Sequence, residues 1–429
     1  MILILSLLSI LFFLMFMGVP IAIALGISTT INLIIFTDMD LLFIGQNIYG
    51  ALDNYALLAI PFFILASNIM AEAGIARRLL AFAETLTAGV TGGLGMAGVM
   101  ACAIFAAISG SSVATVVSIG TIVIPGMIEE GYDKKFATAL ISCSGSLGIL
   151  IPPSILMIIF GVLADVSIGK LFAAGMLPGV ILTLMLMAYV HIIARKRNYP
   201  RSPSLPFKER MKKIIENASA LTIPLLVLGG IYGGVVTPTE AATLAIFLGL
   251  FMGFLVYKEL KVRKLPRIFL QSAEMSSMIL IILAFAYSFA FLLSFFRIPD
   301  ILTEMMFNAG ISSWMFLLLI NIILFFAGDF MDPSSIMLIF TPLIVSLGSA
   351  LGINLIHLGI VVTMNLEIGL ITPPVGFNLY VGSSLSQLPL YEVMKASIPM
   401  MIIIGIALLL ITYVPSLSLI IPKLIFGSA

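Results

Sequence analysis

The sequence predicts an all-α, polytopic membrane protein made of two similar halves. Three observations carry that prediction. Of 429 residues, 61% are hydrophobic and only 10% are charged, with a mean hydropathy of +1.23, whereas a soluble domain carries roughly a quarter charged residues. Apolar runs long enough to span a bilayer recur from end to end, without the short alternating segments of about 10 residues that a transmembrane barrel needs. Lastly, two double prolines preceded by glycine interrupt apolar helices, one in each half: GSLGILIPPS at 145–154 and EIGLITPPVG at 367–376.

A helix cannot run straight through either break. Each proline removes a backbone donor and clashes with the turn before it, while glycine gives up side-chain packing. In lipid, the freed backbone groups must be satisfied by protein, water or a bound ligand. Helices broken at matching places in two halves of a membrane protein point to a transporter's binding site.

Composition excludes several other functions. A net charge of +1 gives no attraction to nucleic acid. Cys102 and Cys143 lie inside apolar segments, where cysteine behaves as a small hydrophobe and a disulfide framework is not expected. His191 and His357 share no metal-ligand spacing. No nucleophile–base pair, P-loop or redox motif supports an enzyme or an ATP-driven pump.

In chain order, residues 2–36 are almost wholly apolar with an interruption at Gly18-Val19-Pro20, giving one kinked helix or two short ones. Without a basic segment ahead of it, the stretch 1–17 reads as a first membrane helix and not as a cleaved signal. Segments 38–54 and 72–89 mix charged and apolar residues, as amphipathic helices at a membrane surface do; between them, 56–70 is a span. Over 95–130, the apolar approach 95–107 makes about 20 Å of helix, short of a roughly 30 Å hydrocarbon core. Two short legs around the polar tip 109–115 therefore predict a re-entrant hairpin. A broken helix at 136–165 and a helix at about 168–193 follow. The basic connection 194–213 and the cluster Lys258, Lys261, Arg263, Lys264 and Arg267 are assigned to the cytoplasm, so 221–257 must cross out and back. The second half runs through helices at 272–296 and 313–325, a second tip at 328–335, a leg at 336–347, a broken helix at 357–385 and a final span at 396–421.

The halves align. An offset of 217 residues, from Pro125 to Pro342, pairs Ser111 with Gly328, Ser112 with Asp329 and Thr115 with Asp332. An offset of 221, from Pro152 to Pro373, pairs Gly148 with Gly369, Pro153 with Pro374, Gly161 with Gly382 and Pro178 with Pro399. The expectation for this architecture is a pair of inverted repeats.

Ser109, Ser111, Ser112 and Thr115 at the first tip serve either close helix packing or ion and substrate binding, since hydroxyl and carbonyl oxygens suit a hard cation such as Na⁺. Asp329 and Asp332 at the second tip read as functional, because carboxylates at membrane depth are costly, unless that tip reaches water. Glu367 directly precedes the second break, flanked by Asn365 and Asn378. Glu240 in TPTE at 237–240 reads as a helix cap or as a substrate contact. His357 and Trp314 read as packing or interface residues.

Together, GVPIA at 18–22, IPFF at 60–63, SGSS at 109–112, GILIPPS at 148–154, the run 161–179, TPTEA at 237–241 and GLITPPVGFN at 369–378 resemble the large membrane subunit of tripartite ATP-independent periplasmic (TRAP) transporters over essentially the whole chain. The resemblance implies a multi-pass protein of the bacterial inner membrane, driven by a Na⁺ gradient. It would import an organic anion, sialic acid or a C4-dicarboxylate, delivered by a periplasmic binding protein, alongside a small four-helix membrane subunit on a separate chain. No organic cofactor and no nucleic acid are implied. The implied mechanism is an elevator, in which residues 1–94 and 194–312 supply scaffold and arm while 95–193 and 313–429 supply moving transport elements. Carried over by position, one Na⁺ site involves Ser109, Ser112, Gly145, Gly148 and Pro152. A second involves Gly328, Asp329, Asp332, Gly369 and Thr372. Substrate would lie between the tips, near Ser111, Ser112, Pro153, Asp332, Thr372, Pro374 and Asn378. No arginine lies in either tip or break; Arg297 is a candidate carboxylate partner or an interface anchor. A stand-alone carboxylate transporter without a binding protein and a passive pore are the rival readings.

Overall fold

A computed structural model describes residues 2–204, 206–373 and 375–427, with side chains from residue 5 onward. The first half opens with α1 (Ile2–Phe16) and α2 (Ile21–Phe36), two helices split where Pro20 starts the second. After them come α3 (Leu42–Leu52), α4 (Ala59–Glu72) and α5 (Ile75–Thr87). The hairpin is α6 (Gly93–Ser109) and α7 (Ser112–Glu129). The broken helix consists of α8 (Lys134–Ser144), the single turn α9 (Leu147–Leu150) and α10 (Ile155–Leu163), and α11 (Ile168–Lys196) closes the half.

The second half contains α12 (Phe207–Ala218), α13 (Thr222–Tyr232), α14 (Pro238–Phe251), α15 (Leu265–Phe295) and α16 (Ile298–Asn308). Its hairpin is α17 (Ser313–Gly328) and α18 (Pro333–Ala350). Its broken helix is α19 (Leu355–Gly369) and α20 (Phe377–Ser386), and α21 (Leu390–Tyr413) and α22 (Ser416–Phe426) end the chain. Among the described residues, the only β-type pairing is an isolated bridge between Thr91 and Arg201, and nine helical stretches are long and apolar enough to cross a membrane.

The helix starts follow from local chemistry. Asp133, Ser154, Ser167 and Asn354 cap α8, α10, α11 and α19 by accepting hydrogen bonds from first-turn backbone N–H groups. At α14, Thr237 and Glu240 form a reciprocal capping box behind Pro238. That is the structural role weighed for Glu240 in the sequence.

Three elements differ from the sequence reading. The second part of the basic connection is helical: α12 pairs Lys212 with Glu216 and Lys213 with Glu209 one turn apart. α16 occupies a stretch given no element of its own. The final span is two helices, α21 and α22, because Pro415 follows the end of α21 and cannot continue it.

Packing crosses the two halves. α7 and α8 lie against α20, α8 also against α21, and α10 lies against α18. α2, α3 and α4 pack on α15, and α4 on α14. The buried apolar side chains form one main cluster across both groups, while Phe12, Phe13, Ile34, Ile35, Leu225 and Phe247 face outward, as lipid-facing positions do. Buried polar residues cross-link helices. His357 is tied by Nδ1 to Ser418 Oγ at 2.8 Å and by Nε2 to the Thr412 carbonyl at 3.2 Å. Asn365 donates to Asn321, which donates to Thr412.

The arm α5 meets the base of the first hairpin at two acids, Glu84 and Glu130, which share a cavity with Lys213 and Glu216 of α12. Burial, then the charge of Glu130, raises the Glu84 carboxyl above its usual range, with Lys213 acting the other way. Burial likewise raises Glu130. Ionisation therefore weakens this contact. Its stability is full below the ordinary carboxylate range and declines as pH rises through the raised values. Glu130→Gln should raise the melting temperature at about pH 7.5 and give little gain at about pH 4.5, as read by scanning fluorimetry.

Candidate functional site

In the first half, α6 ends at Gly110 (φ +61°) and α7 restarts at Ser111, whose side chain accepts from Ala114 N. The tip is thus only two residues, and Ser112 and Thr115 already belong to α7. Gly110 and Ser111 dock on the break. The Ile155 N–H points to the Gly110 carbonyl at 3.4 Å. A Cβ at Gly148 would lie 2.5 Å from the Ser111 carbonyl oxygen and 2.8 Å from Ser112 Cα. Only glycine permits that approach of two backbones.

The second half makes the equivalent contact. A Cβ at Gly369 would lie 2.7 Å from Gly328 Cα, and one at Gly328 would lie 3.0 Å from Gly369 Cα. These are the positions that the sequence offsets pair with Ser111 and Gly148. Each tip meets its broken helix near the middle: Gly148 lies centrally in the 30-residue stretch Lys134–Leu163. α6 and α7, of 17 and 18 residues, are about 26 and 27 Å long, below the roughly 30 Å core.

Between the two tips lies a cavity of about 330 Å³. Its wall includes Gly110, Ser111, Ser112 and Val113 from the first tip, and Asp332, Pro333 and Ser334 from the second. Ile155 and Leu156 of α10 and Leu370 and Phe377 beside the second break add to it. Four helices, α7, α10, α18 and α20, therefore present their first turns to one space. Among the described residues no lysine, arginine or histidine lines it. The remaining wall is apolar, from Ile149 of α9 and from Met275, Met278, Ile279 and Ile282 of α15.

The residues singled out in the sequence are distributed as follows. Ser109 Oγ is 2.8 Å from Thr115 Oγ1 and also donates to the Ser111 carbonyl at 3.2 Å. Ser112, buried, donates to Glu367 Oε1 at 2.7 Å and accepts from Asn378 Nδ2 at 2.6 Å. Gly145 lies under α7, with the Ser112 carbonyl 3.2 Å from a Cβ built there. The Pro152–Pro153 peptide is cis, and the Pro153 carbonyl lies under Gly110. Asp329 is buried, with Oδ1 unpartnered. Asp332 caps α18: Oδ1 accepts from Ser335 N at 3.0 Å and Oδ2 from the Ser335 hydroxyl. Thr372 donates to the Ile368 carbonyl at 2.7 Å. Pro374 lies outside the described residues. Arg297 lies away from the cavity, exposed and paired with Asp300 at 2.9 Å. The serine and threonine hydroxyls and the carbonyls of the breaks form an all-oxygen donor set, the chemistry that suits an alkali cation. Sequence reasoning did not find the α15 wall. Polar residues of this 31-residue helix, such as Arg267, Gln271 and Glu274, are scattered through its first turns, and none of them marks the cavity-facing side.

Fold and site define a multi-pass membrane permease of the bacterial inner membrane, not an enzyme. The comparisons make this specific. Residues 8–417 match the family described as "Tripartite ATP-independent periplasmic transporter, DctM component". The chain is 41% identical to the C4-dicarboxylate TRAP transporter large permease protein DctM of Rhodobacter capsulatus, covering 96% of this chain and 97% of that protein. It is 33% identical to the sialic acid TRAP transporter large permease protein SiaM of Vibrio cholerae, covering 96% and 97%. Among solved structures, the YdaH transporter of Alcanivorax borkumensis superposes with a TM-score of 0.65 at 14% identity, over 89% of this chain and 90% of that one, a likeness of fold. The chain belongs to the TRAP transporter family, as its large permease component. Large permeases of this family work with a periplasmic binding protein and a small permease subunit.

Because backbone and not a flexible side chain would meet the new methyl group, Gly369→Ala should destabilise the protein by about 1–3 kcal/mol. Gly148→Ala should behave alike, while Gly405→Ala, with open space around its Cβ position, should not; melting temperatures of the purified protein measure all three. Asp332→Ala, which removes a helix cap, should cost about 1 kcal/mol in the same assay, and Asp332→Asn less.

Proposed function

We propose that this permease carries out Na⁺-coupled secondary uptake of a small organic dianion, a C4-dicarboxylate, handed over by a periplasmic binding protein, with a small four-helix membrane subunit as a separate chain. The observation that carries the reading is the cavity walled by four helix starts and no basic side chain. Helix N-termini attract anions through partial positive charge and the first-turn N–H groups that the caps Ser111, Ser154 and Asp332 leave open, so an anion is bound without a fixed cation that would have to be moved with it. The starts come in pairs, α7 and α10 from the first half and α18 and α20 from the second. That pairing suits a ligand with a carboxylate at each end. The relatives named for C4-dicarboxylates, at 41% identity against 33% for the sialic acid permease, favour the same choice.

Moving a dianion inward against an inside-negative potential costs roughly 5 kcal/mol per 100 mV, at about 2.3 per charge. Co-transported cations offset it. The oxygen donors at each tip and break, Ser109, Ser112, Gly145, Gly148 and Pro152 on one side and Gly328, Asp329, Asp332, Gly369 and Thr372 on the other, are the proposed Na⁺ positions. Substrate lies between them, against Ser111, Ser112 and Asp332, with Pro153, Thr372 and Asn378 beside it at the breaks. The domain division is proposed as in the sequence, with 95–193 and 313–429 moving as one body by an elevator motion and 1–94 and 194–312 as scaffold and arm. The methionine and isoleucine wall of α15 supports this, because it offers no hydrogen bonds for the tips to break as they slide.

Proteoliposomes holding this chain and its small subunit should take up labelled succinate only with an inward Na⁺ gradient and the cognate binding protein. Labelled sialic acid in place of succinate would reassign the substrate. Uptake indifferent to the binding protein would identify a stand-alone transporter, and uptake that persists without a Na⁺ gradient would favour a passive pore. Met278→Trp, which fills the cavity from the scaffold side, should lower succinate uptake by at least about tenfold, equivalent to about 1.4 kcal/mol, with little change in melting temperature.

A further inference from the structure

Glu367 is the one acid buried to 1% exposure for which the tips and breaks above provide no role. It lies in the last turn of α19, just before the second break. Its Oε1 accepts the hydroxyl of Ser112, 255 residues away, at 2.7 Å. Its Oε2 has no partner. Asn378, from the first turn of α20 and fully buried, gives its amide N–H to the same Ser112 oxygen at 2.6 Å, and its own Oδ1 has no partner either. Two orphaned acceptors, one of them a carboxylate oxygen, thus occur in one buried cluster. None of the ion pairs among the described residues includes Glu367.

Such an arrangement is incomplete. A buried carboxylate without a counter-charge is expensive, and unpartnered buried acceptors lose their hydration without return. Ser112 and Asn378 belong to the first turns of α7 and α20, whose positive ends favour an ionised carboxylate. Glu367 itself sits at the negative end of α19, which favours a cation. What the cluster lacks is a small positive ion between oxygens.

We propose that Glu367 Oε2 and Asn378 Oδ1, with Ser112 alongside, form a third binding position for an alkali cation, joining the first hairpin to the second broken helix. It rests on the Na⁺-coupled reading above and extends it. Two cations neutralise a dianion, and a third lets the membrane potential drive uptake. Because Ser112 also belongs to the first proposed Na⁺ position and Asn378 supports the second break, an ion here makes the two halves bind cations cooperatively.

The test uses the full chain with its small subunit. In proteoliposomes, the Na⁺ dependence of succinate uptake is fitted for its Hill slope and half-saturating concentration. On the purified complex, Na⁺-induced thermal stabilisation is titrated. Glu367→Gln keeps the shape and the Ser112 contact but removes the charge. It should lower the Hill slope by about one and raise half-saturating Na⁺ by at least about tenfold, the effect of about 1.4 kcal/mol. The succinate KM at saturating Na⁺ should stay within about threefold, a shift of about 0.7 kcal/mol. Asn378→Ser, which shortens one ligand, should move both Na⁺ readouts in the same direction and serves if the first variant does not fold. Wild-type Na⁺ dependence left unaltered by these substitutions would overturn the third position alone. A wild-type complex with no Na⁺ dependence in uptake or in melting would overturn the coupling reading and the third position together.

Discussion

Everything in this structure depends on one constraint: backbone polar groups freed inside a membrane must find partners within the protein. Two helices are broken, and each break is covered by a hairpin tip that comes within backbone contact of it. Gly148 beneath Ser111 and Gly369 against Gly328 are where that contact is closest. A methyl group at either position would separate tip from break and leave both sets of polar groups facing lipid or a void. The cavity, its helix starts and its oxygen donors exist because those surfaces meet.

The same constraint explains the electrostatic character of the site. Breaking a helix creates new helix ends, and each N-terminal end brings free N–H groups and partial positive charge. Four such ends face one space whose wall holds no basic side chain among the described residues and one acid, Asp332. Their charge is built into the backbone and needs no counter-ion of its own. Carbonyls released at the breaks, with nearby hydroxyls, provide the opposite character for cations. Helix starts and released carbonyls thus arise from one structural device, present once in each half of the chain. Glu367 ties the two halves together, since its carboxylate reaches from the second broken helix to the first tip.

Packing divides the labour. The hairpins and broken helices of the two halves lie against each other, α7 and α8 with α20 and α10 with α18, so that neither half's site elements are complete alone. α15 meets them through an apolar wall of methionine and isoleucine, a surface that holds by shape and not by directed bonds. Toward the chain's charged connections, capping and ion pairing fix the ends instead: the box at Thr237 and Glu240 and the pairing of Arg78 with Glu259 at 2.8 Å.

The amino-acid sequence by itself determined the class and the plan. Apolar runs and double prolines behind glycine are local features, and they specify spans and breaks without knowledge of contacts. They located both tips and both breaks, and the motifs identified the family. Boundaries suffered where a local signal was faint: α16 has no strong cap in its sequence, and α12 owes its helix to paired charges inside a stretch that reads as polar loop. Tertiary structure alone decided which side chains meet. The α15 wall could not be read, because its lining residues Met275, Met278, Ile279 and Ile282 are of the same apolar kind as the helix's outward-facing residues. Asp332 turned out to cap its own helix through Ser335, a use that spacing permits but does not require. The approach of Glu367 to Ser112 across 255 residues was equally invisible. Helical periodicity is a short-range property, whereas a site assembled from two halves depends on how far-separated surfaces dock.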